Sequence, residues 1–202
     1  MSVVLGVSAL HARCGDAEHL LAELLAGVDS RGLVGCTHLV DAPWRHEALS
    51  VRGDGAVLAD LFAAAACRDG VAAALLEGEQ VTAVAGPDDR RAGAEQAAAE
   101  HRDRVAGRAV HYPGQETLVG DVPVTEVLAG TAIEAVTSTH GAYAAGATLR
   151  TGGFVRPRYE DGALVLHVGH EDPALLMPWE IAEPTPCCGE DHVQGPLDTP
   201  AR

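Results

Sequence analysis

Residues 154–169 read FVRPRYEDGALVLHVG. Two alternating runs flank Asp161-Gly162, a dipeptide favoured in two-residue turns because both central positions tolerate positive φ. The stretch therefore predicts a β-hairpin. Pro157 has no N–H to give to a ladder, which places the first arm at the edge of a sheet.

Working outward from the hairpin, 175–181 (LLMPWEI) is a further strand-like piece. From Glu183 onward the chain turns rich in Pro, Gly and Asp. Upstream, Val3–Leu10 is an apolar run of strand length, and Leu20, Leu21, Leu24 and Leu25 fall on one helical stripe with Asp16 as its N-cap. Residues 33–40 and 46–51 are strand-like, and Asp54 precedes a helix stopped at Asp69-Gly70. Residues 71–86 allow a helix or a hairpin around Gly78. The valines flanking that glycine favour the hairpin. Residues 88–107 form an Ala-faced helix whose Arg90, Arg91, Arg102 and Arg104 are expected to be solvated. A strand near 109–112 and a helical or extended piece over 124–139 complete the chain. Strands and helices alternate without a repeat, so the fold class is α/β or α+β: a mixed sheet with several flanking helices and a C-terminal β-hairpin. The expected organisation is one globular domain over 1–182, then a tail over 183–202.

The core has to be made of small side chains. Hydrophobic residues are 47% of the 202 but aromatics only 3%, so Ala, Val and Leu must pack closely to bury enough area. Lysine and asparagine are absent and all 14 basic residues are arginine, the composition of a GC-rich bacterial genome, so arginine content by itself carries no functional weight. The net charge of −15 repels phosphate backbones and anionic lipids, which argues against nucleic-acid and membrane partners and leaves cations and small molecules. No apolar run reaches spanning length, the N-terminus lacks the basic start of a signal peptide, and five cysteines without framework spacing fit reduced thiols. A cytoplasmic location is expected.

Phosphate-binding, dinucleotide, nucleophile-elbow and zincin motifs are all missing, and so is CxxC. What remains is PTPCCGEDH at 184–192. Cys188 and His192 are four apart and would share a face in a helical turn, whereas the adjacent Cys187 and Cys188 diverge in an extended chain. Thiolate with imidazole suits Zn, Cu(I) or an iron–sulfur cluster, with zinc the leading expectation. His167 and His170 on the hairpin are the nearest supplementary ligands. Cys36 and His38, two apart in CTH, lie on one face of a strand and are a further pair. The leading reading is thus a metal-binding protein, structural or metal-handling. A second reading takes Arg150, Arg156 and Arg158, beside a Gly-rich turn and with His140 as a base, as a clamp for a small anion. A third is an interaction protein without catalysis. Cys14 and Cys67 read as small core residues.

Overall fold

A computed structural model describes residues 3–182. The elements in chain order are β1 (Val3–His11), α1 (Cys14–Leu25), β2 (Val34–Val40), β3 (His46–Gly53), α2 (Gly55–Ala66), β4 (Ala72–Glu77), β5 (Gln80–Ala85) and α3 (Asp88–Asp103). They continue with β6 (Arg108–His111), β7 (Asp121–Pro123), α4 (Val124–Gly130), β8 (Ala135–Ser138), β9 (Thr148–Arg150), β10 (Arg158–Glu160), β11 (Ala163–Asp172) and β12 (Leu175–Pro178). The strands form one mixed sheet in the order β5-β4-β1-β3-β2-β6-β10-β11-β12-β9-β7, with β8 added in parallel to β11.

The first four strands and two helices follow a split βαβ plan. β3 lies between β1 and β2, β1 lies between β3 and β4, and every one of these pairs is antiparallel. The two crossovers lay α1 and α2 on one face. There Leu20, Leu21 and Leu24 meet Leu58, Leu61, Leu5, Leu49 and Val51 in a shared core. Asp54 caps α2 as its position suggests, its carboxylate accepting from the N–H groups of Ala56 (2.9 Å) and Val57. Asp16 does not cap α1. That helix starts earlier, at Cys14, with Arg13 at the cap position, and Asp16 sits in the first turn bonded to Arg13.

Helix α3 covers the other face. Its buried stripe is Ala94, Ala97, Ala98 and His101, small residues until the last. The sheet beneath answers with small residues too, among them Gly6, Ala48 and Ala74. A Cβ built on Gly6 would lie 1.9 Å from the carbonyl oxygen of Ala94, so the helix rests directly on the backbone of β1. The arginines of this helix are not simply solvated. Arg90 donates to the Gly70 carbonyl, Arg91 to that of Gly86 (2.9 Å) and Arg102 to that of Gly78 (3.3 Å), so each ties down a turn of the neighbouring chain. Arg104 pairs with Glu134 and stands over the Tyr159 ring at 5.0 Å.

Both hairpins exist. β4 and β5 pair around Gly78-Glu79. β10 and β11 pair around Asp161 (φ 48°) and Gly162 (φ 83°), the left-handed pair that the two-residue turn demands. β10 is nevertheless an interior strand, bonded to β6 on one side and β11 on the other. Pro157 precedes it and contributes only its carbonyl, which accepts from Ala109 N–H at 2.8 Å, so the missing donor costs nothing. The strands after β6 curl around a second core of Tyr112, Ile133, Leu149, Leu164, Leu166 and Leu176. β6 joins the two halves by pairing with β2 and β10. Among the described residues no helix is long and apolar enough to cross a membrane.

Candidate metal centre

Alternation along β2, β6 and β10 governs what each face of the sheet receives. Cys36 and His38 point toward α3, as their spacing predicts, while Thr37 between them points toward α1 and meets Cys14 Sγ at 3.4 Å. Opposite Cys36 in the ladder stand Ser50 on β3 and Ala109 on β6. Helix α3 brings His101 down onto this row. One donor atom from each of Cys36, His38 and His101 falls within 4.8 Å of the others, and all three residues are buried. Such a group can hold a metal ion.

The polar contacts around it are specific. Glu100, next to His101 on the helix, accepts from His38 Nδ1 at 2.9 Å. Ser50 Oγ lies 2.8 Å from His38 Nε2 and 2.7 Å from His101 Nδ1. Burial pushes the Glu100 carboxyl up, but the bonds from His38 and Gln96 outweigh it and hold it below the ordinary range, so it is an ionised acceptor. Proton positions then follow. With His38 neutral, its Nδ1–H donates to Glu100 and its bare Nε2 accepts the Ser50 hydroxyl. The Ser50 oxygen accepts His101 Nδ1–H, which leaves His101 Nε2 as a bare lone pair. That nitrogen is buried and has no hydrogen-bond partner among the described residues. Were His38 an imidazolium, the chain would reverse and His101 Nε2 would carry a buried proton with no acceptor, a costlier arrangement. Burial, with Arg52 and Arg104 adding to it, drives the His101 pKa well below 6.5 and keeps the ring uncharged. Burial likewise pushes the Cys36 thiol far up, so without a cation it stays protonated.

The loop that follows α3 closes over the group. A Cβ at Gly107 would come 2.7 Å from His38 Cε1 and 3.2 Å from Cys36 Cβ. Tyr159 from β10 packs against His101 with ring centroids 5.2 Å apart. His38, Glu100 and Tyr159 also line a cavity of about 560 Å³ that extends to Cys14 and Arg108.

The remaining expected site residues are dispersed. Cys187, Cys188 and His192 lie outside the described residues. His167 bonds Glu160 at 2.8 Å, and the His170 ring lies tilted 6.0 Å from that of His140; among the described residues neither joins a group of three ligand atoms. Arg156 and Arg158 do line one pocket. Arg150 does not: it is exposed on β9 and paired with Asp121 at 3.0 Å, because β9 lies at the far side of the sheet. His140 is exposed beside Thr139 and Trp179 and does not line that pocket. Cys67 is exposed at the end of α2, while Cys14 is half-buried beside Thr37 and Arg108. The sequence reading missed His101, although its signal was present: a histidine at the i+7 position of an otherwise alanine stripe (94, 97, 98, 101) is aimed at the sheet.

Comparison with protein-family models, with curated proteins and with solved structures finds no match.

Proposed function

We infer that the protein binds a transition metal ion, zinc the best fit, through Cys36, His38 and His101. The observation that carries this reading is the buried, unpartnered Nε2 of His101 within a group whose donor atoms lie within 4.8 Å. Buried polar atoms are nearly always satisfied, so an orphaned lone pair beside a thiol and a second imidazole calls for a cation. One thiolate and two imidazoles suit Zn²⁺, and a fourth position is left for water or another ligand. Glu100 on His38 Nδ1 is the carboxylate partner that orients a metal-ligating imidazole and raises its basicity. On binding, the ion displaces the Cys36 proton, and His38 Nε2 gives up the Ser50 hydroxyl for it. The ion would tie α3 to β2 and so contribute directly to folding. The tail cysteines Cys187 and Cys188 with His192 form a second donor set in the same reading.

Elemental analysis of untagged protein tests this. The expected result is near-stoichiometric zinc in the wild type, lost in Cys36→Ser and His101→Gln. A Cys187→Ala/Cys188→Ala variant that keeps its metal places the ion in the core. Loss only in that variant moves it to the tail, and no metal in any form, under reducing anaerobic handling, refutes the reading.

A further inference from the structure

The face of the sheet opposite the Cys/His group carries a cavity of about 930 Å³, within the range of small-molecule sites. Three arginines converge on it: Arg108 from β6, and Arg156 and Arg158 from the start of the β10 hairpin. Glu18 on α1 takes Arg108 at 2.6 Å and Arg156 at 3.3 Å, while Glu180 takes Arg108 at 2.6 Å and Arg158 at 3.4 Å. The Phe154 ring lies beneath two of the guanidiniums, 4.2 Å from Arg156 and 5.7 Å from Arg108. These contacts fix the three forks in place without using all their donors.

What they leave over points to a ligand. Arg156 bonds the Val155 carbonyl through Nη1 and Glu18 through Nη2, both at 3.3 Å, so each terminal nitrogen keeps a second N–H. Arg158 has a side chain 55% exposed and makes one bond among the described residues, through a single nitrogen. Glu160, the third carboxylate on this wall, is taken by His167. Beside the open donors stand apolar side chains that nothing among the described residues covers, Trp179 at 63% and Ile181 at 55% exposure. Forked cations next to uncovered aromatic and aliphatic surface match a planar anionic head on an apolar body. An inorganic anion would satisfy the first and waste the second.

We propose that this cavity binds a small organic carboxylate, its head on Arg156 and Arg158 and its aromatic or aliphatic body against Phe154 and Trp179. The site shares no residue with Cys36, His38 and His101, so it stands or falls independently of the metal. Calorimetric titration of the full chain with 2-naphthoate, its neutral amide 2-naphthamide and inorganic phosphate is the test. The expected result is saturable binding of 2-naphthoate, about tenfold tighter than either of the others, because a charge-assisted fork and the apolar wall must act together. Arg158→Gln should cost about tenfold for 2-naphthoate and little for the amide. Arg158 is exposed and weakly paired, so this variant should fold as the wild type does. Trp179→Ala should weaken both aromatic probes. No saturable heat, equal affinity for acid and amide, phosphate binding as tight as 2-naphthoate, or an unaltered Arg158→Gln variant would each overturn the proposal.

Discussion

The two faces of the sheet at β2, β6 and β10 are built from neighbouring residues and differ in almost every physical respect. Cys36, His38, Ala109 and Tyr159 go to the α3 face, where the ligand-bearing side chains are buried under a helix and the nearest charges are Glu100, Arg52 and Arg104. Thr37, Arg108 and Arg158 go to the α1 face, which is open and crossed by a lattice of arginine–carboxylate bonds. The same strands serve both because side chains alternate. The difference lies in what covers them. α3 offers alanines, Glu100 and one histidine, and the polar groups gathered there satisfy one another but for one nitrogen among the described residues. α1 offers Glu18, which takes Arg108 and Arg156 opposite it and still leaves them donors to spare.

The largest expected effect lies on the wet face. Arg108 is only 12% exposed and is bonded to both Glu18 and Glu180, and those bonds outweigh burial in keeping its charge favoured. Arg108→Ala removes the nearer partner of two half-buried carboxylates, leaving Glu18 only Arg156 at 3.3 Å and Glu180 only Arg158 at 3.4 Å, and should destabilise the protein by about 3 kcal/mol in urea unfolding. A loss within error would mean that solvent already screens the lattice, and the contrast between the faces would weaken.

Next comes the closeness of the α3 face. Gly6→Ala places a methyl where the Ala94 carbonyl already is, so the helix must lift, at a cost of about 2 kcal/mol. The same lift should reduce metal retention, since His101 rides on that helix. An unchanged stability would show that α3 has slack.

The pH response separates the faces further. His101 stays neutral when folded but takes up a proton below about 6.5 when unfolded, so the unfolded state binds more protons in that range. Stability of the metal-free protein should fall as the pH drops below about 6.5, by up to about 1.4 kcal/mol per pH unit for this group. His11, also lowered mainly by burial, acts in the same sense. Denaturant titrations between pH 5 and 7 should show this slope reduced in His101→Gln. An identical slope would assign the acid sensitivity elsewhere. The smallest effect belongs to the exposed Arg150–Asp121 pair on β9, where Arg150→Ala should leave the unfolding midpoint and any anion binding unchanged.

Much of the fold was legible locally. Asp161-Gly162 and Gly78 announced their turns, Asp54 its helix, and the spacing of Cys36 and His38 a shared strand face. Pro157 misled about the edge because a proline just before a strand removes no ladder donor. The candidate sites were harder to read because they are assembled from distant segments. Glu18 and Arg108 are 90 residues apart, and Ser50 and His101 are 51 apart. Only His101 left a local trace, as the odd residue in an alanine stripe. The tail cysteines drew attention through composition, whereas Arg150 looked equivalent to Arg156 and Arg158 until the strand order carried it away from them.

The central claim is that an ion sits among Cys36, His38 and His101, and cobalt substitution tests it most directly. Co²⁺ added to the metal-free protein should give a thiolate-to-cobalt charge-transfer band together with the strong visible bands of a four-coordinate ion. Both should vanish in Cys36→Ser and persist in Cys187→Ala/Cys188→Ala. A band that survives Cys36→Ser, or no band at all, would contradict the account.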